Sequence, residues 1–315
     1  MNVLDSDGRL RHDRETAAYV LDLLRRELEG RVDGLGLESG RWGINSLHFA
    51  GRWEGTGTEV LVKVNVSDEP RFWARAIGER DPDLAPKVFA DGGRLGADDL
   101  GWYVIERVPY GLGPERGGEE FTLLLDAGVR FQCVAPTVHA QVRTVTASEV
   151  EGWLRQALPL TPPGPALALI NRFEADWDFV CCVCDFEICH GDLHMANVVM
   201  RVPPPQPGAA LLIDIGAVRM PWAFDAAYPQ ILNSEPGRGG CRGLVRRMAE
   251  LRRRRGMAVP SEPDLERLSA ITLGWVALRQ WWITGPSPDP AWRAPAVWRA
   301  ENEAYIESSA RFVRG

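Results

Sequence analysis

The stretch that decides the fold is Ile188-Cys189-His190-Gly191-Asp192-Leu193-His194-Met195-Ala196-Asn197-Val198-Val199-Met200, followed by Leu211-Leu212-Ile213-Asp214-Ile215-Gly216. In the first segment Asp192 and Asn197 lie in a polar loop that precedes an apolar strand. In the second, Asp214 ends an apolar strand just before a glycine. Three oxygen-bearing side chains are thus delivered by one loop and two adjacent strand ends. That donor set suits Mg2+, a hard cation that takes one or two protein ligands and otherwise keeps water and substrate phosphates. Asn197 and Asp214 are the expected metal ligands, and Asp192 is left to meet a substrate hydroxyl.

The rest of the chain bounds what such a site can serve. Its 315 residues, 45% hydrophobic and 25% charged, suffice for about two core-forming units. A net charge of -7 disfavours polyanions, so nucleic acid is not an expected partner. No apolar run approaches the ~20 residues that span a bilayer, and the opening MNVLDSDGRLRHDRE has neither a basic nor an apolar leader segment. A soluble, cytoplasmic protein without membrane contact is expected, either monomer or homodimer. Lys63 and Lys87 are the two lysines, which makes a lysine noticeable. Cys181, Cys182, Cys184 and Cys189 cluster, but one C-x-x-C without a second pair reads as free thiols of a reducing compartment rather than as a zinc site. The run Arg252 to Arg255 reads as a solvated helix face, and the late tryptophans Trp275, Trp281, Trp282, Trp292 and Trp298 as packing.

Periodicity divides the chain in two. Residues 13 to 30 read as a helix, with Ala17, Val20, Leu21, Leu24 and Leu28 at helical spacing, Asp13 as cap and Gly30 as terminator. Short β-rich runs follow at Leu47 to Trp53, Val60 to Val66, Lys87 to Ala90 and Trp102 to Val108. One helix, about Asp68 to Gly78, interrupts them with Phe72, Trp73 and Ile77 on a common face. From Tyr110 onward the pattern is mainly helical, broken by Pro159 to Pro165 and Pro203 to Pro207.

At the catalytic segment the chain resembles the aminoglycoside phosphotransferase family, the small-molecule branch of the protein-kinase-like fold, with its H-G-D-x-x-x-x-N loop and I-D-x-G metal segment. His190, Gly191, Asp192 and Asn197 match the first, and Asp214 and Gly216 the second. The resemblance implies an α+β, bilobal protein-kinase-like fold. A small antiparallel-sheet lobe with one main helix would occupy residues 1-108 and bind nucleotide. A larger, mainly helical lobe would occupy 109-315 and carry the catalytic loop and acceptor site. It also implies Lys63, in Val60-Leu-Val-Lys-Val64, on the nucleotide phosphates, held by a helix glutamate for which Glu69 is chosen over Glu79. The phosphate turn would be Ser39-Gly-Arg-Trp-Gly-Ile-Asn-Ser46, with Gly43 allowing close approach and Asn45 and Ser46 offering donors. Trp102 to Pro109 resembles the strand and hinge that hold the adenine through backbone groups, at Glu106 and Val108. His190 is expected to support the loop and Asp225, in Phe224-Asp-Ala-Ala-Tyr228, to brace it. Val138-His139-Ala140 resembles the end of the preceding helix, which Pro136 should kink.

The activity so implied is transfer of the γ-phosphoryl group of ATP or GTP, with Mg2+, to a hydroxyl of a small molecule. In this family the acceptor is an antibiotic, with resistance or self-protection as the outcome. A metabolic kinase of choline, homoserine or sugar type shares the same motifs and is the alternative. A pseudokinase would require a broken catalytic set, whereas Lys63, Asp192, Asn197 and Asp214 are all present. A protein kinase would show H-R-D, D-F-G and A-P-E, and the chain has none of these strings.

Overall fold

The computed structural model describes residues 3-5, 10-38, 46-97, 99-112, 118-160, 163-204, 210-233, 242-280 and 296-311. The chain forms two compact units. One comprises Met1–Pro109 with Leu211–Gly216, the other Tyr110–Ala210 with Ala217–Gly315. The segment bearing Asp214 thus belongs to the first unit although most of its neighbours in sequence belong to the second.

In the first unit α1 (Arg14–Glu27) starts where the Asp13 carboxylate accepts from the Thr16 amide at 2.7 Å, satisfying a donor the helix leaves open. Ala17, Val20, Leu24 and Leu28 are buried along one stripe. Gly30 takes a φ of +66°, which turns the chain into β1 (Val32–Leu37). This strand is absent from the sequence reading: Gly34 and Gly36 interrupt its alternation, and a bulge lies between Asp33 and Gly36. It pairs with β2 (Leu47–Trp53), which pairs with β3 (Glu59–Val64). With β4 (Val88–Gly92) and β5 (Trp102–Glu106) they form an antiparallel sheet in the order β1-β2-β3-β5-β4.

Alternation along β3 buries Val60, Val62 and Val64 on one face, each worth about 1.5–3 kcal/mol relative to exposure. Lys63 therefore stands on the opposite face. Register places Tyr103 of β5 directly across from it, and His48 of β2 on its other side. The crossing into β5 requires Gly101, because a Cβ there would lie 2.0 Å from the Val66 carbonyl oxygen. Helix α2 (Asp68–Arg80) buries Trp73, Ala74 and Ile77 but leaves Phe72 exposed, so the common face expected for Phe72, Trp73 and Ile77 is corrected. Residues 72 and 77 lie about 140° apart around a helix of 3.6 residues per turn.

The second unit is mainly helical. Strand β6 (Tyr110–Gly111) precedes α3 (Gly118–Val134), which passes into a 3-10 turn at Ala135–Val138. Pro136 thus ends the α-helical hydrogen bonding instead of kinking the helix, and His139 follows in the left-handed region at φ +55°. Helix α4 (Ala147–Ala157) opens with a capping box between Thr146 and Glu149. Helices α5 (Pro163–Asn171) and α6 (Phe173–Val183) lead to β7 (Phe186–Cys189), the catalytic segment and β8 (Val198–Met200). After β9 (Ala210–Leu212), β10 (Val218–Pro221) pairs antiparallel with β7, and β8 pairs with β6. Helices α7 (Ala223–Leu232), α8 (Leu244–Arg254), α9 (Glu262–Arg279) and α10 (Ala296–Arg311) complete the unit.

Trp275 is buried among Phe173, Trp177 and Phe224, with ring centroids 5.2–6.1 Å apart, a core role for that tryptophan. Trp281, Trp282 and Trp292 lie outside the described residues. The solvated reading of Arg252 is corrected. Val245, Met248, Ala249 and Arg252 share one stripe of α8, and Arg252 is 0% exposed. Its guanidinium donates to Gln132 Oε1 at 2.6 Å and to Glu187 Oε1 at 2.9 Å, the partners a buried charge requires. Its neighbours Arg253 and Arg254 remain exposed. No helix among the described residues is long and apolar enough to cross a membrane.

Candidate active site

The catalytic segment leaves β7 at Cys189 and is held from behind. Asp225, on the first turn of α7 and 1% exposed, accepts from the backbone amides of His190 (2.9 Å) and Gly191 (3.2 Å). One carboxylate thereby fixes two successive peptides, the second at a glycine with φ +82°. Burial is the largest influence on Asp225 and raises its pKa to about 6, against the lowering by those two amides; the negative charge of Asp192 adds to the rise. His190 is fully buried, and its Nδ1 accepts from the Asp192 amide at 3.3 Å. Leu193 anchors the loop in the core against α3, where Gly128 leaves the room: a Cβ at 128 would lie 2.6 Å from Leu193 Cδ2.

These anchors present Asp192, whose carboxylate is about half exposed. Asn197 Nδ2 donates to Asp192 Oδ2 at 3.0 Å and to the Asp192 carbonyl at 2.9 Å. His194 Nδ1 accepts from the Ala196 amide, so Nε2 carries the proton and faces Asp192 Oδ2 at 3.5 Å. The Tyr228 hydroxyl approaches the same carboxylate. Partial burial raises the Asp192 pKa, but His194 and Tyr228 outweigh it and lower the value to about 2. The burial of Tyr228 and the charge of Asp192 push that phenol well above its usual range, so it stays a proton donor. Because both amide protons of Asn197 are spent on Asp192, its Oδ1 is the atom left for a cation, and an amide oxygen is a hard ligand of the kind Mg2+ takes.

The first unit holds the other part of the predicted set. Asp214 sits in the left-handed region at φ +55°. Lys63 Nζ lies 2.5 Å from both of its carboxylate oxygens, and the Tyr103 hydroxyl donates to Oδ1 at 3.4 Å. Tyr103 is 1% exposed, and burial first, then the Asp214 charge, raises its pKa well above the usual phenol value. Lys63 and Tyr103 reach the same carboxylate because they are direct cross-strand neighbours on β3 and β5.

Several expectations meet a different arrangement. The carboxylate beside Lys63 among the described residues is that of Asp214, while Glu69 and Glu79 are both exposed on α2. Glu69 occupies the first helical turn, where a carboxylate is favourable to the helix dipole without any lysine. The Ser46 side chain is buried and shares a hydrogen bond with His48 Nε2 at 3.2 Å within the sheet. Gly43 and Asn45 lie outside the described residues. In the hinge segment the Glu106 amide is spent on the Lys87 carbonyl at 2.8 Å, and its carboxylate faces the Lys87 amide. Val108 engages neither backbone group among the described residues. Tyr103 beside Asp214, His194 and Tyr228 beside Asp192, and Arg279 over Trp153 were not singled out from sequence. His194 lies inside the quoted motif and Tyr228 closes Phe224 to Tyr228, so proximity in sequence was available for these two; for Tyr103 and Arg279 the decisive signal is strand register and helix packing.

No protein-family model matches the chain, and a search of curated proteins finds no match. Solved structures do. A type VIII aminoglycoside-3'-phosphotransferase is 20% identical, covering 82% of this chain and 99% of its own, with a TM-score of 0.51. A putative aminoglycoside phosphotransferase from Ralstonia eutropha is 13% identical, covering 94% and 98%, with a TM-score of 0.61. A choline/ethanolamine kinase family protein from Mesorhizobium loti is 14% identical, covering 94% and 99%, with a TM-score of 0.60. The chain has the α+β, protein-kinase-like fold that the aminoglycoside phosphotransferases share with choline and ethanolamine kinases.

Proposed function

We propose that the protein is a small-molecule O-phosphotransferase that moves the γ-phosphoryl group of ATP or GTP to an alcohol. The observation that carries this reading is Asp192, half exposed on a loop whose amides at His190, Gly191 and Asp192 and whose Asn197 side chain are all hydrogen-bonded. The acceptor oxygen attacks the γ-phosphorus, the bond to the β-phosphate oxygen breaks, and the nucleoside diphosphate leaves with that electron pair. Asp192 orients the hydroxyl and takes its proton. A carboxylate with a pKa of about 2 is a weak base, which fits a loose transition state in which the proton leaves late and positioning dominates. Lys63 neutralises nucleotide phosphate charge after exchanging its contact with Asp214. Asn197 Oδ1 and the Asp214 carboxylate would hold Mg2+, which supplies charge neutralisation on the phosphates. His190 and Asp225 support the loop, and the Val108 backbone meets the nucleobase.

Solved structures of this fold include an amicoumacin kinase in complex with AMP-PNP, Ca2+ and Ami, and an aminoglycoside phosphotransferase in ternary complex with AMP-PNP and hygromycin B. These support an antibiotic acceptor, with resistance or self-protection in the cytoplasm as the outcome. The choline and ethanolamine kinases of the same fold support the metabolic alternative. The deciding experiment incubates the purified chain with γ-labelled ATP, Mg2+ and a panel of antibiotics and metabolic alcohols, scoring a mass gain of one phosphoryl group. Asp192→Ala, checked for folding by circular dichroism, serves as control. Transfer that disappears in the variant supports the assignment, and near-normal turnover in a folded variant rejects it.

A further inference from the structure

Strand β2 has one face committed to packing and one that is not. Leu47 and Phe49 are both fully buried in the core that also holds Val20 and Leu24 of α1. His48 lies between them in the chain, so it projects from the opposite face, where it is partly exposed. Register makes it the direct partner of Lys63 on β3, and Lys63 the direct partner of Tyr103 on β5. Side chains paired in this way stand about 4.5–5.5 Å apart at Cβ. His48, Lys63 and Tyr103 therefore form one row across three strands of the first unit, and the last two already meet the Asp214 carboxylate. The adjoining row on the same face is Ala50, Leu61 and Ile105, whose side chains carry no donor.

Lys63 has a carboxylate beside it, whereas the Nε2 atom of His48 has a hydroxyl. Ser46 precedes His48 by two residues and so shares its face of the strand, and Ser46 Oγ and His48 Nε2 share a hydrogen bond of 3.2 Å. That neutral bond exchanges readily for a charge-assisted one when an oxyanion arrives, since a hydrogen bond to an ionised acceptor is about twice as strong. The carboxylates around the row do not oppose such a ligand. Glu38 donates its amide to the His48 carbonyl at 3.0 Å, but its side chain is paired with Arg107 at 2.8 Å. Helix α2 packs on this face through Ala74, in a cluster with Tyr103 and Ile105, and its acidic residues Asp68, Glu69 and Glu79 are exposed.

We propose that His48 is a phosphate-binding residue for the nucleotide, donating from Nε2, in exchange for its bond to Ser46, to the phosphate group that Lys63 neutralises. The inference rests on the phosphotransferase reading and extends its nucleotide set by one side chain, one strand beyond the lysine. The two residues supply different things. An ammonium on a flexible stem neutralises charge and sets little direction, whereas a ring N–H carried on a paired strand donates along a fixed line. His48 thus orients the phosphate whose charge Lys63 balances. A neutral imidazole with its proton on Nε2 suffices for this, so the role depends on strand position and not on the charge of the ring.

Two measurements test the proposal. In the first, AMP-PNP with Mg2+ is titrated calorimetrically into the full chain. His48→Leu, which keeps bulk and removes the donor, is expected to bind at least about fivefold more weakly than wild type. His48→Gln, which restores an N–H donor of similar reach, is expected to recover to within about twofold of wild type. Melting temperatures establish that both variants are folded. The second measurement needs no stable variant for its result: in wild type with isotopically labelled histidine, the ring-nitrogen resonances of His48 are followed by NMR, assigned by their loss in His48→Gln. They are expected to shift on addition of AMP-PNP with Mg2+ and not with Mg2+ alone. Unchanged affinity in folded His48→Leu, an equal loss in His48→Gln, or ring nitrogens that do not respond to AMP-PNP would each overturn the proposal. Failure of the kinase reading looks different. Wild type itself would then show no magnesium-dependent uptake of AMP-PNP, whereas failure of this inference alone leaves that uptake intact and insensitive to residue 48.

Discussion

Asp214 in the first unit and Asp192 in the second are both carboxylates on short loops after strands, and they are stabilised in opposite ways. Asp214 is neutralised by an ammonium group at 2.5 Å, with a buried phenol as second partner. Asp192 is met by an amide, an imidazole and a phenol, and among the described residues no ammonium or guanidinium group bonds to it. A direct ion pair can be exchanged for another cation, whereas a carboxylate held by dipoles keeps its orientation and its charge whatever arrives. The contrast matches the separate tasks proposed for them, one as metal ligand and the other as the group that meets the acceptor. The backbone supports differ as well. Asp214 depends on its own left-handed φ, while the Asp192 loop is gripped from outside by Asp225.

The sharpest break of this comparison comes from removing each carboxylate. Asp192→Ala should lower kcat on the order of 10^3-fold without changing the Mg2+ concentration needed for half-maximal rate. Asp214→Ala should lower kcat by roughly 10^2- to 10^3-fold and raise that Mg2+ requirement. A magnesium titration of both variants decides, and equal shifts would erase the division of labour. Next in size, Lys63→Met should raise the KM for ATP by about tenfold or more, as expected for loss of a charge-assisted contact to phosphate. Because the same substitution frees Asp214, its Mg2+ requirement should fall or stay level; a rise would mean that Lys63 organises the metal ligand rather than competing for it.

The support of the Asp192 loop can be read from stability against pH. Asp225 has a folded pKa of about 6 against an ordinary value of 3.8, so the folded state binds the extra proton. Its contribution is therefore most favourable below about pH 4 and is lost as pH rises through about 6, by on the order of 3 kcal/mol if fully expressed. Denaturant melts of wild type and Asp225→Asn across this range should show the slope in the first and not in the second. The variant should also lose roughly 1–3 kcal/mol at low pH, because its amide group presents a donor to one of the two backbone N–H groups. A slope unchanged in the variant would remove Asp225 from the account. The smallest effect belongs to Tyr103→Phe, expected to cost about 1 kcal/mol of stability and to change kcat by less than about threefold. A larger kcat loss would promote the phenol from a secondary partner of Asp214 to a necessary one.

Much of this site was legible in the chain itself because its parts are short and contiguous. His190 to Asn197 carries the loop, its carboxylate and its amide in eight consecutive residues, and local geometry suffices to bring Asn197 onto Asp192. The valine alternation around Lys63 likewise shows a strand with a lysine on the less buried face. The partner of that lysine was not legible. Choosing Glu69 relied on its early position in the helix, whereas the pairing with Asp214 spans 151 positions and depends on the register of β3 with β5 and on one left-handed residue. Strand β1 escaped because two glycines hide its alternation. Arg252 was misplaced because an arginine run reads as solvated unless one knows which neighbours the helix turns toward.

Sequence by itself determined the alternation of β3, the caps and stripe of α1, the loop that presents Asp192 and the chemical kinds of group available there. All of these follow from interactions between residues a few positions apart, whose geometry is set by helix and strand periods. Tertiary structure alone decided that Asp214 faces Lys63 and Tyr103 and that Arg279 stands on Trp153, and it supplied the two amide contacts by which Asp225, already expected to brace the catalytic loop, holds it. These contacts join residues more than thirty positions apart, and their free energy depends on burial and register, quantities that no local pattern encodes.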